Sequence, residues 1–144
     1  MDTANISFDI DTTDRDAQLG IEVWIDDVCV HHNDHVVELY HFSHDMNDKD
    51  GTHELKIVLK GKTVDHTEID GQGNITKDAL ISISNVQVDE IDVAQIFYTQ
   101  AQYHHDFNST QEPTQVKFYR YMGCNGTVVF KFSTPIYLWL LENM

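Results

Sequence analysis

Apolar and polar residues alternate along most of this chain with a period of two rather than 3.6. Ile6, Phe8 and Ile10 show the pattern near the start, and residues 54–60 repeat it. Successive side chains of a strand point to opposite faces, so the pattern predicts strands with one buried and one solvated face. We predict an all-β, antiparallel β-sandwich of jelly-roll type with roughly ten strands. A length of 144 residues suits a single domain over residues 1–144.

Local breaks in the alternation predict where the chain turns. Asp26-Asp27 separates two apolar segments and indicates a tight hairpin. The alternation changes phase near Asn85 and again near Glu90, which predicts a bulge or tight turn at each place. Asn125-Gly126 is the strongest hairpin signal, between strands predicted over 116–121 and 128–130.

The last third of the chain contains the segments that decide between strand and helix. Pro135 is predicted to open a final strand, Ile136 to Leu141, because proline is tolerated as the first residue of a strand. Residues 92–102 are the one stretch whose pattern also fits a short helix. No apolar run approaches the ~20 residues of a membrane-spanning helix, and the first residues lack the pattern of a signal peptide.

The charge balance is strongly acidic, with 24 Asp and Glu against 9 Lys and Arg and a net charge of −15. This predicts that neither nucleic acid nor an anionic membrane is a partner, because both require clustered basic residues. Asp45, Asp48 and Asp50 lie within six residues of one another and offer the hard oxygen ligands that calcium prefers. The EF-hand spacing is not met, so an ordinary polar turn is the alternative.

Residues with catalytic chemistry do not form a known motif. The chain has nine histidines, six of them between positions 31 and 53, but no zinc-site spacing, so surface histidines are expected. His53 shares the phase of Leu55 and is expected in the core or at its rim. Cys29 and Cys124 are expected to be reduced and buried. We therefore predict a protein that is not an enzyme, with a histidine-based metalloenzyme as a third hypothesis.

Three aromatic residues are candidates for ligand binding. Trp24 is out of phase with its apolar neighbours, and Tyr103 and Phe107 flank a long polar loop over 106–114. Aromatic faces beside carboxylates and amides suit a sugar-binding platform. Packing in the core or in a subunit interface is the alternative.

Two short motifs resemble a known family. The segment Asp50-Gly51-Thr52-His53-Glu54-Leu55-Lys56-Ile57 resembles the Gly-x-His-x-Leu-x-Ile strand of jelly-roll carbohydrate-binding modules, and Ile83 to Val93 resembles their Val-x-Val-Asp-x-Ile-x-Val strand pair. Across residues 20–95 the chain is similar to the small calcium-dependent xylan-binding modules. The resemblance implies a calcium ion that is held by loop carboxylates and carbonyls and chelates sugar hydroxyls. Asp45, Asp48 and Asp50 are candidate occupants of one such loop.

The chain as a whole also resembles proteins of unassigned role encoded by marine cyanophages. The segments that carry the resemblance are Phe107 to Thr110, Met122 to Thr127 and Leu138 to Met144. It implies a viral origin and synthesis in the host cytoplasm, with the virion as a further location. The leading hypothesis is a non-catalytic phage domain that recognises a glycan or host-surface polysaccharide. The alternative is a virion structural or assembly protein without a ligand, in contact with other virion subunits.

Overall fold

Strands dominate the computed structural model, which describes residues 4–13, 19–46, 51–61, 67–69, 71–72, 75–78, 80–105, 114–117, 121–122 and 126–143. The strands are β1 (Ala4–Thr12), β2 (Gly20–Ile25), β3 (Val28–Asn33), β4 (Tyr40–Met46), β5 (Gly51–Lys60), β6 (Thr67–Ile69), β7 (Ile75–Asp78), β8 (Ile81–Val88), β9 (Ile91–Asp92), β10 (Gln102–His105), β11 (Thr114–Lys117), β12 (Tyr121–Met122) and β13 (Gly126–Thr134). Two helices, α1 (Ala94–Gln100) and α2 (Ile136–Asn143), complete the described elements.

Two antiparallel sheets form the sandwich. The first sheet has the order β12-β8-β1-β4, with β9 paired to β8, and the second has the order β11-β10-β13-β5-β2-β3. A separate pair is made by β6 and β7. The predicted antiparallel β-sandwich of about ten strands is confirmed.

The inward faces of the two sheets share one apolar core, as the period of two predicts. Ile6, Phe8 and Ile10 of β1 are at most 1% exposed, and Leu55 and Ile57 of β5 are equally buried. Complete burial of such a side chain stabilises the folded state by about 1.5–3 kcal/mol. The apolar residues of the alternating pattern are therefore the main contributors to the stability of the sandwich.

The predicted turns are present where acidic or amide residues adopt the left-handed region. Asp26 and Asp27 have φ of 50° and 68° and join β2 to β3, while Asp89 and Glu90 have φ of 52° and 66° and join β8 to β9. Asn85 has φ of 55° and lies where the register between β1 and β8 shifts. Short polar side chains tolerate this conformation best, which explains the Asp and Asn positions.

The described strands β12 and β13, before and after Asn125, do not pair with each other as the hairpin predicted at Asn125-Gly126 requires. β13 is paired on both edges, with β10 and with β5, whereas β12 pairs with β8 in the other sheet. β12 and β13 therefore belong to different sheets, whereas β11, which contains the start of the strand predicted over 116–121, shares the sheet of β13. A strong local turn signal is overruled here because long-range pairing satisfies both edges of β13.

The predicted final strand is wrong, because Ile136 and the residues after it form α2. Amides of Leu138 and Trp139 donate to the carbonyl of Pro135 and begin the helix. Ile136 and Trp139, one helical turn apart, are buried. A short apolar run fits a strand as well as a helix, and packing against β13 selects the helix.

The short helix that the pattern of residues 92–102 also fitted is present as α1. In the part of the chain that the structure describes, no helix has the length and apolarity to span a membrane.

Cys29 is exposed and free, so its predicted burial is wrong. It lies opposite Trp24 on β3, the edge strand of the second sheet, and shares the outward side of that pair. Cys124 lies outside the described residues.

Candidate functional site

The β2–β3 turn places two carboxylates at one end of the sandwich. The Asp26 amide donates to the carbonyl of Glu54 over 3.0 Å, and the Asp26 Oδ1 atom accepts from the Glu54 amide over 2.9 Å. These two bonds hold the turn against the start of β5. Asp27, the second residue of the turn, keeps its side chain 84% exposed.

A buried histidine links this turn to β13. His53 is 2% exposed, and its Nδ1 atom lies 2.7 Å from Asp26 Oδ2. Its Nε2 atom lies 3.3 Å from the hydroxyl oxygen of Thr134, which is itself 6% exposed. Both ring nitrogens therefore have a partner, so the imidazole acts as a structural link rather than as a free metal ligand. The expectation that His53 lies in the core or at its rim is confirmed.

Two adjacent hollows open beside this link. One, of about 360 Å³, is lined by Ile25, Asp26, Val28, Val30, His44, Met46 and His53, and we call it the loop-end pocket. The other, of about 450 Å³, is lined by Asp26, Asp27, Thr52, His53, Glu54 and Lys131. Asp26 and His53 form the wall between them. The loop-end pocket thus combines apolar side chains with one carboxylate and two imidazoles, the buried one of His53 and the half-buried one of His44, an arrangement typical of small-ligand sites.

A small ion-pair network forms the outer rim. The Lys56 ammonium lies 3.2 Å from Glu54 Oε1 and 3.3 Å from Asp27 Oδ1. The hydrogen bonds that the Lys56 ammonium donates, first to Glu54 and then to Asp27, raise the pKa of Lys56, so it stays protonated well above neutral pH. Exposed pairs of this kind contribute little to stability, but they fix the orientation of the rim.

Of the three predicted calcium ligands, only Asp45 lies in the part of the chain that the structure describes. Asp45 is exposed near the end of β4, and its Oδ1 atom accepts from the Asn5 side-chain amide over 2.8 Å. It faces outward, because its neighbours His44 and Met46 line the loop-end pocket. Asp48 and Asp50 lie outside the described residues, between the end of β4 and the start of β5. Among the described residues, no group of three or more histidine, cysteine, aspartate or glutamate side chains could hold a metal ion.

The predicted aromatic residues lie on different faces. Trp24 is half-buried on the outward side of β2, where its Nε1 atom donates to Glu22 Oε1 over 2.9 Å. Glu22 also pairs with Lys60, and this bond, followed by that from Trp24, lowers the pKa of Glu22. Tyr103 is 3% exposed in the core, so its ring offers no face to a ligand. Phe107 lies outside the described residues.

Three exposed aromatic residues are Tyr40, Tyr121 and Tyr137, which are 44%, 47% and 58% exposed. Tyr121 flanks the long polar loop of the sequence and was expected at the surface, whereas Tyr40 and Tyr137 were not predicted as ligand-binding residues. Tyr137 was assigned to a strand, and its exposure follows from its place on α2. The link between Asp26, His53 and Thr134 was also missed. The phase of His53 indicated burial, but a buried imidazole needs partners, and only the fold identifies them.

Comparison with known proteins shows a similarity of fold. No family model and no curated protein matches the chain. Among solved structures, it is similar to vCBM60, whose structure is described together with an evolutionary link between two families of calcium-dependent carbohydrate binding modules. The TM-score is 0.57 at 10% identity, with 88% of this chain and 89% of that chain covered. A structure of vCBM60 in complex with galactobiose gives a TM-score of 0.53 at 11% identity, covering 88% of this chain and 96% of that one. At such identity the shared property is the fold.

Proposed function

We propose that this chain is a non-catalytic carbohydrate-binding domain with a calcium-assisted site at the loop end of the sandwich. The observation that carries the proposal is the similarity of fold to vCBM60 over 88% of the chain. The loop-end pocket supports it, because its lining includes Met46 at the end of β4 and His53 near the start of β5.

Asp48 and Asp50, which follow β4 in the sequence, would supply carboxylate ligands for calcium. Calcium takes six to eight oxygen ligands at about 2.3–2.6 Å, so a few carboxylates leave positions open. Neighbouring hydroxyls of a sugar ring are suitable oxygen donors for those positions. The Asp26–His53 link would keep the turn beside the site rigid, so that a ligand does not have to order it.

Of the predicted aromatic residues, Trp24 would stack on a sugar, since it lies on the outward side of β2 and its indole donates to Glu22, which also pairs with Lys60. In the viral setting that the sequence resemblance implies, the ligand would be a host-surface polysaccharide. Trp24 lies on the outward side of the second sheet, so it would contact a sugar beyond the one at the pocket.

Calcium titration tests the metal part of the proposal. At a calcium concentration 100 times the dissociation constant, binding stabilises the folded state by about 2.7 kcal/mol. For a chain of this length we expect a rise in Tm of roughly 5–10 °C. Asp48→Asn and Asp50→Asn should each reduce the rise, whereas Asp34→Asn, an exposed aspartate on another loop, should leave it unchanged. Equal Tm values with millimolar calcium and with a chelator would refute a calcium site.

A second candidate function is assembly with other subunits, favoured by the surface of α2. Tyr137, Leu138 and Leu141 are 58%, 49% and 74% exposed on one short helix. Contiguous exposed apolar groups of this kind often mark contacts between proteins. Light scattering should then show an oligomer at micromolar concentration, and Leu141→Lys should dissociate it. A monomer at all concentrations would exclude self-assembly through α2.

A further inference from the structure

The outward face of the first sheet carries rows of polar side chains that extend across three strands, β4, β1 and β8. In its middle row, Ser7 of β1 lies directly across from Ser43 of β4 and Gln87 of β8. Neighbouring rows pair Asn5 with Asp45 on one side and Asp9 with His41 and Ser84 on the other. We call this surface the polar face: Asn5, Ser7, Asp9, His41, Ser43, Asp45, Ser84 and Gln87. It lies on the side of the sheet opposite the core.

Hydrogen bonds hold the side chains around the centre of the polar face. The Asn5 side-chain amide donates to Asp45 Oδ1 over 2.8 Å and to the Ser43 hydroxyl over 3.0 Å. On the other side, His41 Nδ1 lies 2.6 Å from Asp9 Oδ1. The surroundings of Ser7 are therefore ordered before any ligand arrives, which reduces the entropy lost on binding.

The hydroxyl of Ser7, at the centre, differs from its neighbours. Ser7 is 8% exposed and has no hydrogen-bond partner among the side chains and backbone groups that the structure describes. Buried polar groups in proteins nearly always have a partner, and an unpaired one costs free energy. A hydroxyl in this position, within a ring of larger polar side chains, points to a partner from outside the protein.

The distribution of charge restricts what that partner can be. The described strands of the first sheet contain no lysine or arginine, and Asp9, Asp11 and Asp45 give them acidic character. The lysines of the two large sheets, Lys56, Lys60, Lys117 and Lys131, all lie in the second sheet. A carboxylated or sulfated chain would be repelled here, whereas a neutral chain of hydroxyl groups would meet donors and acceptors in every row.

We propose that the polar face is a second carbohydrate-contact surface, independent of calcium, which binds neutral sugar chains with the Ser7 hydroxyl at its centre. Its polar groups repeat about 4.8 Å apart across strands and about 6.8 Å apart along them, so an extended chain can contact several rows. Two sites on one domain would raise the avidity for a polymer beyond that of either site alone. This surface is separate from the loop-end pocket, and its binding does not require the calcium ion proposed there.

The test uses the full chain in 5 mM EGTA, so that a calcium site cannot contribute. Retardation in gels that contain galactan, arabinoxylan or glucomannan is compared with retardation in polygalacturonate or alginate. We expect retardation by at least one neutral polymer and none by the two anionic polymers. Ser7→Ala should weaken that binding about 2- to 10-fold, the range for loss of one hydrogen bond. Ser43→Arg, which places a long cationic side chain across the middle row, should abolish it.

Matched controls separate binding from folding. Thr127→Arg, on the outward side of β13 in the other sheet, should bind like the unmodified chain. Ser7→Ala should keep or raise Tm, because it removes an unpaired buried hydroxyl, whereas a purely structural role would lower Tm. The proposal is overturned if no neutral polymer retards the chain in EGTA, or if Ser7→Ala and Ser43→Arg leave the retardation unchanged. Calcium-dependent binding without an EGTA-resistant part would support the loop-end site alone.

Discussion

Replacing Asp26 with alanine should destabilise the fold more than the same replacement at Asp27. The two residues have similar left-handed φ values, 50° and 68°, so alanine is unfavourable at both to a similar degree. They differ in their partners. Asp26 accepts from the Glu54 amide and faces the buried Nδ1 atom of His53, whereas the 84% exposed side chain of Asp27 pairs with Lys56.

The size of the stability loss expected for Asp26→Ala depends on the buried imidazole of His53. Asp26→Ala leaves Nδ1 of His53 without its carboxylate in a site that is 2% exposed, which costs about 1–3 kcal/mol. Loss of the exposed Asp27–Lys56 pair costs at most about 1 kcal/mol. The backbone contribution cancels in the comparison, so the difference between the two variants should be about 1–3 kcal/mol.

Urea denaturation followed by circular dichroism measures this difference. Both variants should keep the m-value of the unmodified chain, and the midpoint should fall further for Asp26→Ala. Asp26→Asn, which retains an acceptor and tolerates the left-handed region, should lie between Asp26→Ala and the unmodified chain. Equal losses for Asp26→Ala and Asp27→Ala would show that the Asp26–His53 contact does not stabilise this end of the sandwich.

Three further predictions concern other parts of the fold. Burial, followed by the neighbouring histidine, lowers the pKa of His31, which stacks 4.5 Å from Tyr40. Below about pH 6.5 the unfolded chain therefore binds more protons at this position than the folded chain does. The free energy of unfolding should decrease as the pH is lowered. His31→Phe should reduce that fall in urea titrations at pH 7.5 and 5.5; an unchanged fall would assign it to other groups. Trp139→Ala should cost about 3–5 kcal/mol by the same assay, because the indole is 8% exposed and packs edge-on against Phe130; a loss under 1 kcal/mol would mean that α2 does not anchor on β13. Leu141→Lys, at a position 74% exposed, should change stability by less than about 0.5 kcal/mol, and a larger loss would show that Leu141 is covered.

Local chemistry predicted the parts of the fold that depend on neighbouring residues. The turn at Asp26-Asp27 was predicted because two acidic residues interrupt the apolar segments, and the turn near Glu90 because the alternation changes phase there. Burial of His53 followed from its phase along β5. These features need no knowledge of which strands pair.

Features that depend on distant pairing could not be predicted in this way. The apolar run after Pro135 fits a strand as well as a helix, and the surface of β13 against which it packs selects the helix. Tyr103 was proposed as an exposed platform because it precedes a polar loop, yet its strand lies beside β13 with the ring in the core. The unpaired hydroxyl of Ser7 becomes visible only when β4 and β8 are placed on either side of β1.

The central claim is that this chain binds carbohydrate. Its most direct test is a glycan array with the purified protein, in parallel in 5 mM calcium and 5 mM EGTA. We predict that neutral glycans are bound, that calcium increases the signal, and that Asp48→Asn and Asp50→Asn reduce the calcium-dependent part. Absence of binding to every glycan in both conditions, with the protein shown to be folded by circular dichroism, would contradict the claim.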